Sequence, residues 1–265
     1  MNTTDYLQKF EKKLQLRNYR SNTIKTYVSC AASFLAYFKT APERINKDQI
    51  EDYILTKDAR NTKAQNIGAL KLFYELAVEQ PVKLSKIKTP RKEKHLPTVI
   101  DRQIIITKIA AIQNTKHRAI LHLIYGCGLR RSEAINMLIT DIDSKRMTVR
   151  IADGKGGKDR YMPLPKTTLN YLREYFIEYK PTVYLFNGWK QEPKYNERSL
   201  EQICHKYLNT NPHTLRHSYA THLHEAGTDI EIIRQLLGHN NIKTTQIYLQ
   251  VSRRTLAGII SPVDM

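Results

Sequence analysis

Residues 213–223, HTLRHSYATHL, place three histidines, an arginine and a tyrosine in one predicted helix. His213 and Arg216 lie three residues apart and therefore project from the same helix face. A metal site, a phosphate site and a solvated helix face are all compatible with this composition. The stretch lacks the HExxH spacing of zinc enzymes and a cysteine pair, which disfavours a metal. An arginine beside a histidine suits a phosphate, because the guanidinium binds two oxygens while the imidazole donates or transfers a proton.

Three other stretches of the chain reinforce the phosphate interpretation. They are GCGLRRSEAI (126–135), GKGGKDR (154–160) and LLGHNNIKTTQIYLQ (236–250). The first puts Arg130 and Arg131 at the start of a predicted helix. The second puts Lys155 and Lys158 on a glycine-rich turn that can reach into a groove. Together these stretches predict several cations around one phosphate.

The overall charge of the chain points to a polyanionic partner. Its 265 residues include 43 Lys and Arg against 25 Asp and Glu, a net charge of +18. No stretch approaches the roughly 20 apolar residues of a membrane span, and the first residues do not resemble a secretory signal. We therefore expect no membrane partner. The three cysteines show no metal-ligand spacing, so we expect them to be free thiols in a reducing cytoplasm.

The hydrophobic periodicity predicts a mainly α-helical protein with a small β-hairpin. Residues 1–80 form a small helical domain, residues 81–97 a basic linker, and residues 98–265 a second domain. Further helices are predicted over 61–79, 101–112, 116–126, 131–139, 166–179, 197–208, 213–226, 229–237 and 242–252. The runs MTVRIA and DRYMPL, separated by glycines, predict the hairpin.

The predicted linker, PVKLSKIKTPRKEKHLP, is rich in lysine and proline. Such a composition is typical of an exposed segment, and a merely solvated tether explains it as well as a binding role does. Its positively charged side chains, among them Arg91, Lys92 and Lys94, would allow the linker to lie along the phosphate backbone of a nucleic acid.

The motifs GLRRSE, GKGGKDR, HTLRH and LLGH, followed by a tyrosine, closely resemble those of the tyrosine recombinases, the phage-integrase and Xer type of site-specific DNA recombinase. The resemblance covers the whole chain. The helical N-terminal part is similar to the family's core-binding, SAM-like domain, and the rest is similar to its catalytic domain. Each motif alone is modestly specific, whereas five in order, with His239 nine residues before Tyr248, are very specific.

The resemblance implies a catalytic set of six residues. They are Arg130, Lys155, His213, Arg216, His239 and Tyr248. Tyr248 is implied as the nucleophile that attacks the scissile phosphate, giving a 3′-phosphotyrosyl link and a free 5′-hydroxyl. Four such exchanges pass through a Holliday junction. The residues Arg131, Lys158, Arg91, Lys92 and Lys94 are expected to contact DNA.

The chemistry of phosphodiester cleavage agrees with these residue types. Arginine and histidine donors offset the negative charge that the transition state gathers, without a metal. A tyrosine hydroxyl, with a pKa of about 10, needs a group to accept its proton and cations to stabilise its phenolate. A lysine can protonate the leaving 5′-oxygen. Because the covalent link conserves the bond energy, we expect no cofactor, metal or ATP.

The resemblance also implies an architecture and an assembly. A two-domain, C-shaped clamp would surround double-stranded DNA at a specific recombination site, and four copies would form a homo-tetramer. The C-terminal tail, with Leu256, Ile259 and Ile260, would dock on a neighbouring subunit. The N-terminal domain begins almost at residue 1, which favours an Xer-like or small mobile-element recombinase without an arm-binding domain. The expected location is the cytoplasm, at the nucleoid.

Several assignments remain open at the level of residues. Arg131 competes with Arg130 for the phosphate, and Lys158 competes with Lys155 as proton donor. Glu133 either accepts bonds from the active-site arginine or favours the start of its helix. The remaining aromatic and imidazole groups of this region are expected to be structural, with His217 adjacent enough to support the site; they are Tyr219, His217, His222 and His224.

Alternative functions also remain open at this stage. A non-catalytic DNA-binding protein on the same scaffold would tolerate loss of the motifs. A type IB topoisomerase-like activity would share the chemistry but would relax supercoils without exchanging strands between sites. A metal-dependent nuclease is the least favoured alternative, and full activity in excess chelator would exclude it.

Overall fold

The computed structural model describes residues 2–81, 84, 87–90, 96–152, 159–188 and 194–251. The chain divides into two compact units, Met1–Lys94 and His95–Met265, and each has its own hydrophobic core. The division falls within the stretch 81–97 that the sequence predicts as a linker. Among the described residues, no helix combines the length and the apolar character that crossing a bilayer requires.

The first unit is helical. Its elements are α1 (Thr3–Leu16), α2 (Ser21–Phe38), a 3-10 turn (Pro42–Arg44), α3 (Lys47–Leu55), α4 (Arg60–Phe73) and a π-helical turn (Tyr74–Val78). Asn2 and Asn46 cap the first and third helices, because each side chain accepts a hydrogen bond of 2.9 Å from the backbone N–H three residues later. The sequence predicts one helix over 61–79, and the structure shows an α-helix that ends at Phe73 and continues as a π-helical turn.

Aromatic rings fill the core of the first unit. Phe34 lies edge-on to Tyr53 and Tyr74, with ring centroids 5.2 and 6.0 Å apart, which is a favourable geometry. Leu84 and Ile87 are buried in the same core, although they belong to the predicted linker. The prediction of an exposed segment is wrong at these two positions, because apolar side chains spaced between lysines still pack inward.

The second unit combines helices with one small sheet. Its elements are α5 (Arg102–Ala110), α6 (Thr115–Cys127), α7 (Arg131–Asn136), a 3-10 turn (Ile139–Asp141), β1 (Ile142–Asp143), β2 (Thr148–Ile151), β3 (Arg160–Pro163), α8 (Lys166–Tyr179), α9 (Glu197–Leu208), α10 (Pro212–Glu225), α11 (Ile230–Leu237) and α12 (Lys243–Val251). The predicted hairpin is confirmed as the antiparallel pair β2 and β3, with Val149 opposite Met162. The short strand β1 was not predicted, and it pairs Ile142 with Val149. The predicted fold class, mainly helical with a small sheet, is confirmed.

Helix α6 lies at the centre of the second unit. Six of its thirteen residues are fully buried: Ala119, Ile120, Leu121, Leu123, Ile124 and Cys127. So wide an apolar face is typical of a helix that several other elements contact. Side chains of α8 belong to the same core, among them Leu169, Leu172 and Tyr175. The C-terminal end of α6, from which the chain continues to Arg130, is therefore held firmly in place.

Candidate active site

Two helix ends bring catalytic candidates into the same region of the second unit. Gly128 ends α6 with φ 57°, and Gly238 ends α11 with φ 59°. This left-handed conformation, which glycine adopts without strain, turns the chain immediately after each helix. Arg130 follows the first turn by two residues and His239 follows the second directly. The guanidinium of Arg130 donates to the carbonyl of Gly238 at 3.1 Å, so the two turns are in contact.

Arg216 occupies the space between these two turns. Its side chain is only 1% exposed, and its Nη1 and Nη2 atoms donate to the carbonyls of Gly128 and Leu237. Burial, together with the nearby charge of Arg130, lowers the pKa of Arg216 to about 10. The guanidinium therefore stays charged at neutral pH, and it is fixed by the backbone of both turns.

Glu133 is the anion that holds the arginines of the site. Its carboxylate accepts hydrogen bonds from Nη1 of Arg130 at 2.6 Å and from the backbone N–H of Arg130 at 2.8 Å. Nη1 of Arg216 lies 3.7 Å away. Burial alone would raise the pKa of Glu133, but the hydrogen bond and charge of Arg160, with those of Arg130, lower it to about 2. Of the two roles left open for Glu133, the structure shows the contact with Arg130.

Arg160 is a member of this network that the sequence did not single out. It lies on β3, and its Nη1 and Nη2 atoms donate to the two carboxylate oxygens of Glu133 at 3.0 and 2.8 Å. Its Nε donates to the carbonyl of Leu236 at 2.8 Å. Arg160 thus joins the sheet, α7 and α11. The only available signal was its place at the end of the GKGGKDR motif, because its partner Glu133 is 27 residues away.

Tyr248 lies on α12 and packs against α10 and α11. Its side chain is 1% exposed and belongs to a small apolar cluster with Ala220, Ile233 and Leu237. Its hydroxyl is 3.0 Å from Nδ1 of His217. Burial raises the pKa of Tyr248, whereas the charges of Arg216 and Arg130 oppose that increase. The Tyr248 hydroxyl is therefore in hydrogen-bond contact with an imidazole of α10.

The imidazoles around the phenol are neutral at pH 7. Burial is the main cause, and the charges of Arg216 and Arg130 add to it. The pKa of His213 is lowered, and that of His239 falls to about 3. The rings of His213 and His217 pack edge-on, with centroids 4.5 Å apart. Burial lowers the pKa of His217 to about 4, so its Nδ1 can accept the hydrogen bond of the Tyr248 hydroxyl.

A cavity of about 340 Å³ opens beside the first turn of α10. Its walls are formed by Arg130, Arg131, Ser132, Glu201, Asn211, Pro212 and His213. Arg130 and His213 thus face one opening, whose size and donors suit a phosphate. The guanidinium of Arg131 instead pairs with Glu197 at 2.7 Å and with Glu201, both on α9.

Other predicted residues fall into two groups. Tyr219 packs against the core, with its ring beside Gly128, and His222 lies 2.9 Å from the hydroxyl of Tyr125. Several predicted positions lie outside the described residues: Lys155, Lys158, Arg91, Lys92, Lys94, Leu256, Ile259 and Ile260. Within the described ranges, no group of three or more His, Cys, Asp or Glu side chains is arranged to hold a metal ion.

Comparisons with known proteins agree with the motifs. Residues 101–254 match the model of the phage integrase family, and residues 6–84 match that of the phage integrase N-terminal SAM-like domain. A putative integrase/recombinase of Sinorhizobium fredii is 33% identical over 99% of this chain and 89% of its own length. A tyrosine recombinase XerA of Pyrococcus horikoshii is also 33% identical, over 99% of this chain and 94% of its own.

Solved structures resemble the chain along most of its length. A crystal structure of XerA recombinase has 27% identity and a TM-score of 0.54, covering 93% of both chains. XerH bound to a palindromic difH substrate in a post-cleavage complex has a TM-score of 0.72 at 22% identity, covering 89% of this chain and 78% of that one. The Tn1549 transposon integrase in complex with circular intermediate DNA has a TM-score of 0.71 at 17% identity, covering 92% and 94%.

Proposed function

The chain belongs to the phage integrase family and is a tyrosine site-specific recombinase, and we propose that it cleaves and rejoins DNA through a covalent link to Tyr248. In the proposed reaction the phenol oxygen attacks a phosphodiester, forming a 3′-phosphotyrosyl bond and releasing a 5′-hydroxyl. The 5′-hydroxyl of a partner strand reverses the step. Four such exchanges, passing through a Holliday junction, complete a recombination event.

One observation carries this proposal. The hydroxyl of Tyr248 lies 3.0 Å from Nδ1 of His217, whose ring packs 4.5 Å from that of His213, and His213 lines one cavity with Arg130. A phosphate bound between Arg130 and His213 would place its nonbridging oxygens against cationic and N–H donors. Such donors stabilise the negative charge that grows as the fifth bond to phosphorus forms, and they act most strongly away from water. Lowering the barrier by about 1.4 kcal/mol gives a tenfold rate gain.

Each proton of the reaction has a proposed carrier. His217 is neutral at pH 7, and its Nδ1 is 3.0 Å from the Tyr248 hydroxyl, so it can accept the phenolic proton. The leaving 5′-oxygen needs a proton, and Lys155 is the proposed donor, with Lys158 as the alternative. A substrate whose leaving oxygen is replaced by sulfur needs no such proton. Replacement of the true donor by alanine should slow cleavage of the oxygen substrate much more than cleavage of the sulfur substrate.

The proposed partner is double-stranded DNA with a specific recombination site. In this proposal residues 98–265 carry the chemistry and residues 1–80 add a second DNA-binding unit. Arg131, Lys158 and the basic residues Arg91, Lys92 and Lys94 contact the backbone, which makes binding sensitive to salt. A homo-tetramer with exchanged C-terminal tails would hold two sites together, at the nucleoid in the cytoplasm. The role is that of an Xer-like or small mobile-element recombinase.

The test is the covalent adduct itself. The purified protein is incubated with fragmented host DNA, denatured and captured, and the attached DNA is sequenced to find the site. A duplex of that sequence with a nick next to the cleavage point then traps the intermediate. We expect a protein–DNA adduct that Tyr248→Phe abolishes and Tyr219→Phe retains, because Tyr219 packs in the core. An adduct that persists in Tyr248→Phe would refute the proposed nucleophile.

A further inference from the structure

Thr245 is a buried polar residue on the helix that carries Tyr248. It is fully buried, and its Oγ1 atom lies 2.9 Å from Nδ1 of His239. Thr245 and Tyr248 are three residues apart on α12 and are both buried, so they share one face of this helix. The helix therefore contacts the site twice, once through the phenol and once through this hydroxyl.

The other ring nitrogen of His239 identifies where its proton lies. Nε2 of His239 is 3.3 Å from Nη2 of Arg216. A guanidinium has only donors, so Nε2 must accept this hydrogen bond through its lone pair. A neutral imidazole carries one proton, which must then be on Nδ1 and must point to the oxygen of Thr245. His239 is neutral here, because burial and nearby arginines lower its pKa to about 3.

We infer that Thr245 is a positioning residue that fixes the orientation of the His239 ring by bonding to its Nδ1 atom. This inference rests on the proposed function, to which it adds that His239, a member of the implied catalytic set, donates a hydrogen bond to the phosphate. To donate to a phosphate oxygen, the ring needs its proton on Nε2 rather than on Nδ1. The ring makes that change by losing the Nδ1 proton to water and gaining one from water at Nε2, and it remains neutral.

A threonine hydroxyl is suited to both states of the ring. It accepts the Nδ1–H of the free protein, and after rotation it donates its own proton to the bare Nδ1 of the phosphate-bound state. The backbone of His239 is held separately, because its carbonyl accepts a hydrogen bond of 2.6 Å from Arg234. Thr245 thus determines the ring angle, and its place on α12 links that angle to the position of the nucleophile.

The chain offers a matched control for a test of this role. Thr221, on α10, is also fully buried, and among the described residues its hydroxyl has no hydrogen-bond partner. Replacing threonine by valine keeps the shape of the side chain and removes only the hydroxyl. Thr245→Val leaves an imidazole N–H without an acceptor, whereas Thr221→Val breaks no hydrogen bond. Thr245→Ser restores the hydroxyl alone.

The first experiment measures single-turnover adduct formation by the full-length protein on the nicked duplex. We expect Thr245→Val to slow the step about tenfold, the loss expected for one buried hydrogen bond. Thr245→Ser should stay within about threefold of the wild type, and Thr221→Val should equal it. DNA affinity should be unchanged in all three. Wild-type rates in Thr245→Val, or a Thr245→Ser as slow as Thr245→Val, would overturn the inference.

A double-mutant cycle tests whether Thr245 acts through His239. In a His239→Phe background, Thr245→Val should cause no further slowing, because the group that the hydroxyl positions is gone. An undiminished tenfold loss in that background would mean that the hydroxyl acts elsewhere, and the inference would fail.

A second readout does not depend on the reaction. Nitrogen-15 NMR of the free protein should show His239 with a protonated Nδ1 and a bare Nε2, assigned by comparison with His239→Phe. Thr245→Val should keep the proton on Nδ1, because the contact with Arg216 determines that tautomer, but it should shift the Nδ1 resonance because the N–H loses its acceptor. Thr221→Val should leave the resonance unchanged, and an unshifted resonance in Thr245→Val would also overturn the inference. A protonated Nε2 in the wild type would refute the inference even if the adduct forms. Absence of any adduct with the expected tautomer would refute the proposed function alone.

Discussion

Replacement of Glu133 by glutamine should lower the free energy of unfolding more than other substitutions of charged residues in the site. The side chain is 9% exposed and contacts Arg160, Arg130 and Arg216. Its pKa falls from 4.5 to about 2 in the folded protein, which corresponds to about 3 kcal/mol at about 1.4 kcal/mol per pH unit. Removing one partner of a buried ion pair costs about 3–5 kcal/mol. We therefore expect Glu133→Gln to lower the free energy of unfolding by about 3 kcal/mol at pH 7.

The assay is urea unfolding followed by the fluorescence of the single tryptophan, Trp189, whose position in the sequence falls in the second unit. Glu231→Gln is the matched control. The pKa of Glu231 is also lowered to about 2, by its hydrogen bond with Arg234 first, but its side chain is 49% exposed. Water and salt screen such a pair, so we expect no measurable loss in this control. Equal stability of the two variants would refute the buried-pair reasoning.

The pH dependence adds an independent check on Glu133. A carboxyl group whose pKa is lowered by folding stabilises the folded state fully above its unfolded pKa, near 4.5. This stabilisation is lost as the pH falls from about 4.5 towards 2. The difference between the wild type and Glu133→Gln should therefore be constant from pH 7 to about 5 and should shrink below that. A difference that already changes between pH 7 and 5 would contradict the assignment.

Three further predictions concern backbone, protonation and DNA contact. Gly128→Ala should lower the free energy of unfolding in urea by about 3 kcal/mol, because φ is 57° and the added Cβ would lie 2.3 Å from the ring of Tyr219. The control is Gly68→Ala, which should be neutral or stabilising because the atom nearest to the added Cβ is 3.7 Å away. Burial lowers the pKa of His122 from 6.5 to about 4, so the stability of the wild type should fall as the pH drops through this range. His122→Gln should flatten that slope by up to about 1.4 kcal/mol per pH unit, and an unchanged slope would contradict the assignment. Arg131→Ala should leave the urea midpoint unchanged but should reduce the salt slope of DNA binding by about 1, and an unaltered slope would exclude a phosphate contact.

Much of the fold was predictable because its helices carry long periodic patterns. The hairpin was also predictable, since two alternating runs flank a glycine-rich turn. Strand β1 was not, because Ile142–Asp143 is too short to show alternation and exists only through its pairing with β2. The sequence predicts Leu84 and Ile87 as linker residues, because their charged neighbours obscure the three-residue apolar spacing by which both pack into the core.

In the candidate site, too, contacts between residues close in sequence are predictable and contacts between distant residues are not. The spacing of His213 and Arg216 is local, so one helix face predicts their proximity. The contact between Tyr248 and His217 joins residues 31 apart, and no short-range pattern predicts it. Arg160 pairs with the buried carboxylate of Glu133, 27 residues away, and no local pattern predicts this contact. Sequence patterns therefore predict which residue types would bind a phosphate, and the structure adds the side chains that contact them, such as Arg160 and His217.

The manner in which Arg216 is held has a consequence for how such a site can evolve. Its guanidinium donates hydrogen bonds to the carbonyl oxygens of Gly128 and Leu237, which are main-chain atoms. A carbonyl is present whichever side chain a position carries, so replacement of Leu237 by another apolar residue need not disturb this anchor. At Leu237 the anchor depends on the path of the backbone and not on the side chain, whereas at Gly128 that path itself requires glycine. Sequences can therefore diverge at the first position, but not at the second, while the geometry of the arginine is inherited intact.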